Sequence, residues 1–112
     1  MTKEGYLLDN AWTQARERLG LLETSLDPGS IRHLERLGVD AGWQCLDVGA
    51  GGGSISEWLW RRVGPRGRVL AIDVDTRFLG ALDYPNFEVL RHDIAIEALP
   101  ERSLDVVCAR PF

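Results

Sequence analysis

An α/β fold, a parallel sheet preceded by a helical segment, is what this sequence predicts, and three observations predict it. From residue 41 onward, short apolar runs alternate with stretches of helical periodicity. Those runs are nearly continuous rather than alternating, the texture of strands covered on both faces. A glycine cluster, Gly49 and Gly51 to Gly53, stands directly after the first run, where a strand would turn into a helix.

The elements follow in order. Trp12, Ala15, Leu19, Leu22 and Leu26 recur at spacings of three and four, which places them on one face of a helix that Gly20 interrupts. Asp27 then reads as the cap of a second helix, with Pro28 in its first turn, Ile31, Leu34 and Leu37 along it, and Gly38 as its stop. "WQCLDV" is a strand that ends in the glycine loop. "SISEWLWRRV" carries Ile55, Trp58, Leu59 and Val63 at helical spacing and closes at Gly64-Pro65. "RVLAID" is a second strand, "TRFLGAL" a short helix, "FEVLR" a third strand leading into His92-Asp93, and "SLDVVCA" a fourth. Two segments result: a helical one over residues 1–40 and a sheet-bearing one over residues 41–112.

Composition bounds the function. The chain has 112 residues, enough for one modest core, and 45% of them are hydrophobic. A net charge of −4 supplies no electrostatic footprint for nucleic acid or an anionic membrane. No run approaches the roughly 20 apolar residues of a membrane span, and the start lacks a secretory signal's apolar core. Cys45 and Cys108 lie apart inside apolar runs, as buried free thiols of a reducing cytoplasm do. His33 and His92 have no ligand-spaced neighbours, so no metal is expected.

The glycine loop narrows the ligand. No Gly-Lys-Ser/Thr closes it as in a P-loop, and Ser54 lacks the flanking glycine of a nucleophile elbow. The dinucleotide pattern Gly-x-Gly-x-x-Gly nearly fits from Gly49 but ends on Ser54. Asp47 discriminates further. A pyrophosphate against that carboxylate would be repelled by about 1 to 4 kcal/mol per charge at contact, whereas an ammonium or sulfonium would be attracted. S-adenosylmethionine has such a cationic amino-acid end, and its own carboxylate can lie toward the positive end of the following helix.

"DVGAGGG", Asp47 to Gly53, resembles motif I of the class I S-adenosylmethionine-dependent methyltransferases, and three more segments follow in register: "VLAIDVD", "LRHDIAI" and "SLDVVCAR". The resemblance spans about residues 40 to 112; the helical start is similar to the covering helices of bacterial small-molecule members. It implies a Rossmann-like doubly wound parallel sheet, here strands 1–4 of an order 3-2-1-4-5-7-6, and the cytoplasmic activity of a methyltransferase whose product is S-adenosylhomocysteine. Asp47, Gly49, Ala50, Gly51 and Gly53 would hold the cofactor's amino-acid end, Asp73 with Val74 the ribose, and Asp93 with Ile94 the adenine. Arg110 would also contact the cofactor, at the strand end that borders the methyl-transfer site. The acceptor would be a small molecule, and no catalytic base can be named.

Plainer readings stand beside these. Ser54 and Glu57 form Ser-x-x-Glu, a capping box. Asp75 is either a second ribose contact or, preferably, the N-cap of the "TRFLGAL" helix. His92 reads as a loop residue rather than a base, and Trp58 and Trp60 as packing on the sheet. Tyr6 and Arg16 reach for the cofactor from the helical start, Arg16 toward the methionine carboxylate, or belong to a solvated face. A nicotinamide-dependent oxidoreductase fragment is one rival; an inactive chain acting by association is the other. With three strands of the family's sheet still to come after "ARPF", the fourth strand would expose Val106, Val107 and Cys108 on an open edge, inviting self-association or a complementing chain.

Overall fold

The computed structural model describes residues 3–79, 82–93 and 104–109, with backbone alone for residues 3–12. The element order is α1 (Lys3–Leu37), β1 (Gln44–Val48), α2 (Ser54–Val63), β2 (Arg68–Asp73), β3 (Phe87–Arg91) and β4 (Val106–Ala109). All strand pairs are parallel, in the order β3-β2-β1-β4. The register sets Cys45 beside Val69 and Val106, and Asp73 beside Arg91. Asp105 pins the start of β1, accepting the Gln44 N–H on its carboxylate at 2.7 Å and donating its own N–H to the Gln44 carbonyl at 2.8 Å.

The strand order positions the site. From β1 the chain steps outward through β2 to β3 and then returns to the other side of β1 as β4. Connections leave β1 in opposite directions, so a crevice opens beyond the carboxyl ends of the strands at that switch. The glycine loop after β1 lies there.

α2 is an amphipathic helix whose buried stripe, Ile55, Leu59 and Val63, packs with Val69, Cys45 and Val106 in the principal core. Each such side chain contributes roughly 1.5–3 kcal/mol when fully buried. Trp58 and Trp60 rest against this core as expected. Trp60 also stacks on Tyr84 at 4.3 Å between centroids and donates its indole N–H to the Pro85 carbonyl.

Four sequence expectations are corrected. The helical start is one helix, not two: α1 runs through Asp27 and Pro28. A proline removes one hydrogen bond and crowds one carbonyl, and here the Thr24 and Ser30 hydroxyls back-bond to the Gly20 and Leu26 carbonyls without ending the helix. The stop is as expected: Gly38 adopts φ +85°, and the Gly38 and Val39 N–H groups return to the Glu35 and Leu34 carbonyls in a Schellman motif. Ser54 and Glu57 form no capping box. The cap is Gly53 with φ +86°, and Glu57 instead meets Arg61 and Tyr84. No helix forms over the described part of "TRFLGAL"; residues 77–79 are a turn. Finally, coverage on both faces holds for β1 and β2 but not for β3 or β4, the outer strands among the described residues.

Among the described residues no helix is long and apolar enough to cross a membrane.

Candidate cofactor site

Three of the loop's glycines are required by the backbone. Gly49, Gly51 and Gly53 have φ of +69°, +60° and +86°, the left-handed region that side chains with a Cβ avoid. Their alternation is the physical content of Asp-x-Gly-x-Gly-x-Gly. The loop is stitched to β2: the Gly49 and Ala50 N–H groups both donate to the Ile72 carbonyl, at 2.9 and 3.1 Å. Ala50 is buried against Ala71 and Leu79.

Gly52 has a different reason. A Cβ there would run into the Glu23 carboxylate and the Arg16 guanidinium of α1. The long helix thus crosses the loop with the ends of two flexible side chains at contact distance. Arg16 lies 4.0 Å from Glu23 and 5.8 Å from the Phe78 ring centroid, on the segment that follows β2. The position of Glu23 over the loop was not legible in the sequence; the available signal was its spacing of seven from Arg16, two helical turns along one face.

The acids are arranged at three depths. Asp47 is 1% exposed, beneath the loop, where its Oδ2 accepts the Ser56 hydroxyl at 2.6 Å. Asp73, at the end of β2, accepts the Gly51 N–H at 2.9 Å and the Asp75 N–H at 3.2 Å. Its carbonyl accepts the His92 N–H at 2.9 Å, which ties the end of β3 to the same point. Glu23 sits above the loop. Its side chain is 12% exposed and its Oε1, buried, accepts no hydrogen bond. At the first residue of α2 the Ser54 hydroxyl is likewise buried with no bond. Buried polar atoms in folded proteins are nearly always paired, and two without a hydrogen bond lie beside one glycine loop.

Of the sequence-named residues, the structure gathers Asp47, Gly49, Ala50, Gly51, Gly53 and Asp73 around one loop, with Arg16 over it. Val74 is exposed just past β2, and Asp93 follows the end of β3. His92 is in the loop just past β3, as expected, and is buried there. Asp75 caps a turn: its carboxylate accepts the Arg77 N–H at 3.1 Å and pairs with the guanidinium, a bond that holds the carboxyl below its ordinary range. Ile94, Arg110 and the Tyr6 side chain lie outside the described residues. No group of three metal-ligating side chains occurs among the described residues.

Comparison with known proteins decides which ligand this loop belongs to. The model of the FtsJ-like methyltransferases matches residues 31–109. The chain belongs to that family. The match sets aside the nicotinamide alternative and makes S-adenosylmethionine the cofactor that goes with the site. Among solved structures, a SAM-dependent methyltransferase from Aquifex aeolicus is 28% identical over 84% of this chain, with a TM-score of 0.61. A protein-L-isoaspartate O-methyltransferase, 23% identical over 68% of the chain (TM-score 0.58), and a putative methyltransferase from Thermoplasma acidophilum, 24% identical over 64% (TM-score 0.53), share the fold. The chain spans 55% of the Aquifex protein, 26% of the isoaspartate enzyme and 34% of the Thermoplasma protein. No curated protein sequence matches it.

The residues of this FtsJ-like chain fit the cofactor. An acid-lined glycine loop suits a ligand with a cationic end and opposes a pyrophosphate. Asp73 retains acceptor capacity beyond its two amide bonds, since a carboxylate offers about four lone-pair positions.

Proposed function

We propose that this chain is the cofactor-binding portion of an S-adenosylmethionine-dependent methyltransferase that acts on a small-molecule acceptor in the cytoplasm. The observation that carries the reading is the Asp47–Gly53 loop, clasped to Asp73 through the Gly51 N–H and bordered by carboxylates. The bound cofactor supplies an electrophilic methyl group on a sulfonium.

The chain's own residues bind and orient. The loop and Asp47 take the amino-acid end, Arg16 its carboxylate, Asp73 and Val74 the ribose, and Asp93 and Ile94 the adenine, with Arg110 toward the acceptor. Asp73 is pre-organised for ribose hydroxyls because two backbone amides fix its carboxylate at the end of β2. Ser56 keeps Asp47 from turning away from the loop. Methyl transfer is a direct displacement, so most of the rate comes from holding nucleophile and methyl in line. The small acceptor is supported by the net charge of −4, and the cytoplasm by two cysteines, Cys45 and Cys108, that form no disulfide. The open side of β4 is where a second copy or a complementing chain would add a strand.

Calorimetric titration with S-adenosylhomocysteine, with NAD as control, tests the reading. Selective binding of the first is expected, and Asp73→Ala should weaken it by at least about 1 kcal/mol, the worth of a charge-assisted hydrogen bond. Preference for NAD, or unchanged affinity in a folded Asp73 variant, would overturn it. Tight binding of RNA at physiological salt would overturn the small-molecule acceptor.

A further inference from the structure

Glu23 is the residue for which neither the fold nor the family match supplies a purpose. It sits on α1, outside the matched residues, yet its carboxylate is pressed onto Gly52 in the middle of the glycine loop. Its Oε1 is buried and accepts no hydrogen bond, and the Arg16 guanidinium stands at 4.0 Å, beyond hydrogen-bonding reach. Within α1 the carboxylate has a long ion pair to Arg16 and no hydrogen bond on Oε1. Leu22 and Leu26, on either side, are exposed, so that stretch of the helix is not held by a core. A largely buried carboxylate with a guanidinium only at the outer limit of ion pairing and no hydrogen bond on Oε1 keeps acceptor capacity for a cationic donor.

We infer that Glu23 is a specificity residue for the amino-acid end of the cofactor, its Oε1 accepting a hydrogen bond from the α-ammonium while Arg16 meets the α-carboxylate. The inference rests on the cofactor reading proposed above. The choice between the ligand's two cations follows from chemistry: an ammonium donates hydrogen bonds and a sulfonium does not, and the vacant atom is an acceptor. The pair of side chains is matched to a zwitterion, one acid and one base two helical turns apart on the same face. α1 therefore does more than cover the loop; it reads whether the nucleoside carries an amino acid. An adenosyl thioether without that end gains nothing from Glu23. A dinucleotide meets Glu23 above and Asp47 below the loop, both of the wrong sign.

The test is a cycle of binding measurements on the whole chain. Glu23→Gln keeps the shape of the side chain and removes its charge. Its affinity for S-adenosylhomocysteine should fall about tenfold or more, the scale of losing a charge-assisted bond, while its affinity for 5′-methylthioadenosine stays at the wild-type value. The wild-type chain should lose at least that factor when the α-amino group of S-adenosylhomocysteine is removed, and the variant should lose much less from that removal. Additive losses, an equal loss for both ligands, or no loss in the variant would each overturn the role of Glu23 while leaving the cofactor site standing. If the variant fails to fold, deamination with the wild-type chain decides alone: unchanged affinity overturns the ammonium contact. A folded wild-type chain that binds neither adenosyl ligand would instead overturn the cofactor reading, and this inference with it.

Discussion

β1 and β4 are neighbours in one sheet, paired in register, and each carries a cysteine, yet the two thiols live in different media. Cys45 is buried and its pKa is pushed up to about 12, first by burial and then by the nearby Asp105, Asp47 and Cys108. Cys108 lies half-buried on a strand with one open side. The same contrast runs through the whole sheet. β1 and β2 are enclosed, while Val107 on β4 is 52% exposed and every residue of β3 from Glu88 to Arg91 is exposed. An apolar run is a statement about what a strand can tolerate; the number of neighbours decides what it receives. A groove of about 360 Å³ beside β4, bounded by His33, Leu34 and Leu37 of α1, widens the difference on that side.

The largest effect that would break the comparison comes from truncating one side chain on each side of it. Leu59→Ala empties a fully buried position under β1 and should cost about 2–5 kcal/mol in urea denaturation. Val107→Ala on the open strand should cost under about 1 kcal/mol. Equal costs would mean that β4 is as enclosed in solution as β1. A smaller effect belongs to the polar floor of the loop. Ser56→Ala deprives the buried Asp47 carboxylate of its 2.6 Å donor, with an expected loss of about 1–3 kcal/mol, again read by denaturation.

The cysteines sharpen the contrast at the smallest scale. Between pH 9.0, the ordinary thiol value, and about 12, the unfolded chain releases the Cys45 proton and the folded chain keeps it. The folded state binds more protons there, so stability falls as pH rises through that window and is unaffected below it. Cys45→Ala should flatten this part of the alkaline slope in pH-dependent melting. At pH 8, iodoacetamide should label Cys108 well before Cys45, as peptide mapping would report; simultaneous labelling would show that β1 opens as readily as the edge.

Much of the layout was legible, for identifiable reasons. α2, β2 and β3 begin and end where Ser54–Val63, Arg68–Asp73 and Phe87–Arg91 were expected, because each is a run of one periodicity bounded by glycine, proline or a charged turn. The glycine loop was legible because positive φ at Gly49, Gly51 and Gly53 leaves a residue-type signature. Asp27 and Pro28 misled for the opposite reason: a proline at a capping position signals a start, and no local signal says that a helix already under way will pass through it. Ser-x-x-Glu misled at Ser54 because Gly53 had taken the cap and Tyr84, 27 residues on, had taken Glu57.

Residues whose role depends on their own backbone or their near neighbours were therefore determined by the sequence itself: the left-handed glycines, the Gly38 stop and the buried stripe of α2. Residues whose role depends on a partner far along the chain were decided only by the tertiary structure. Gly52 meets the ends of the Glu23 and Arg16 side chains because α1 crosses the loop there, and Glu23 is a candidate site residue because that crossing buries its carboxylate 29 positions away from the glycine it covers. Periodicity and φ preference act over a few residues, whereas burial and the pairing of charge are properties of space, and the chain acquires them only when it closes on itself.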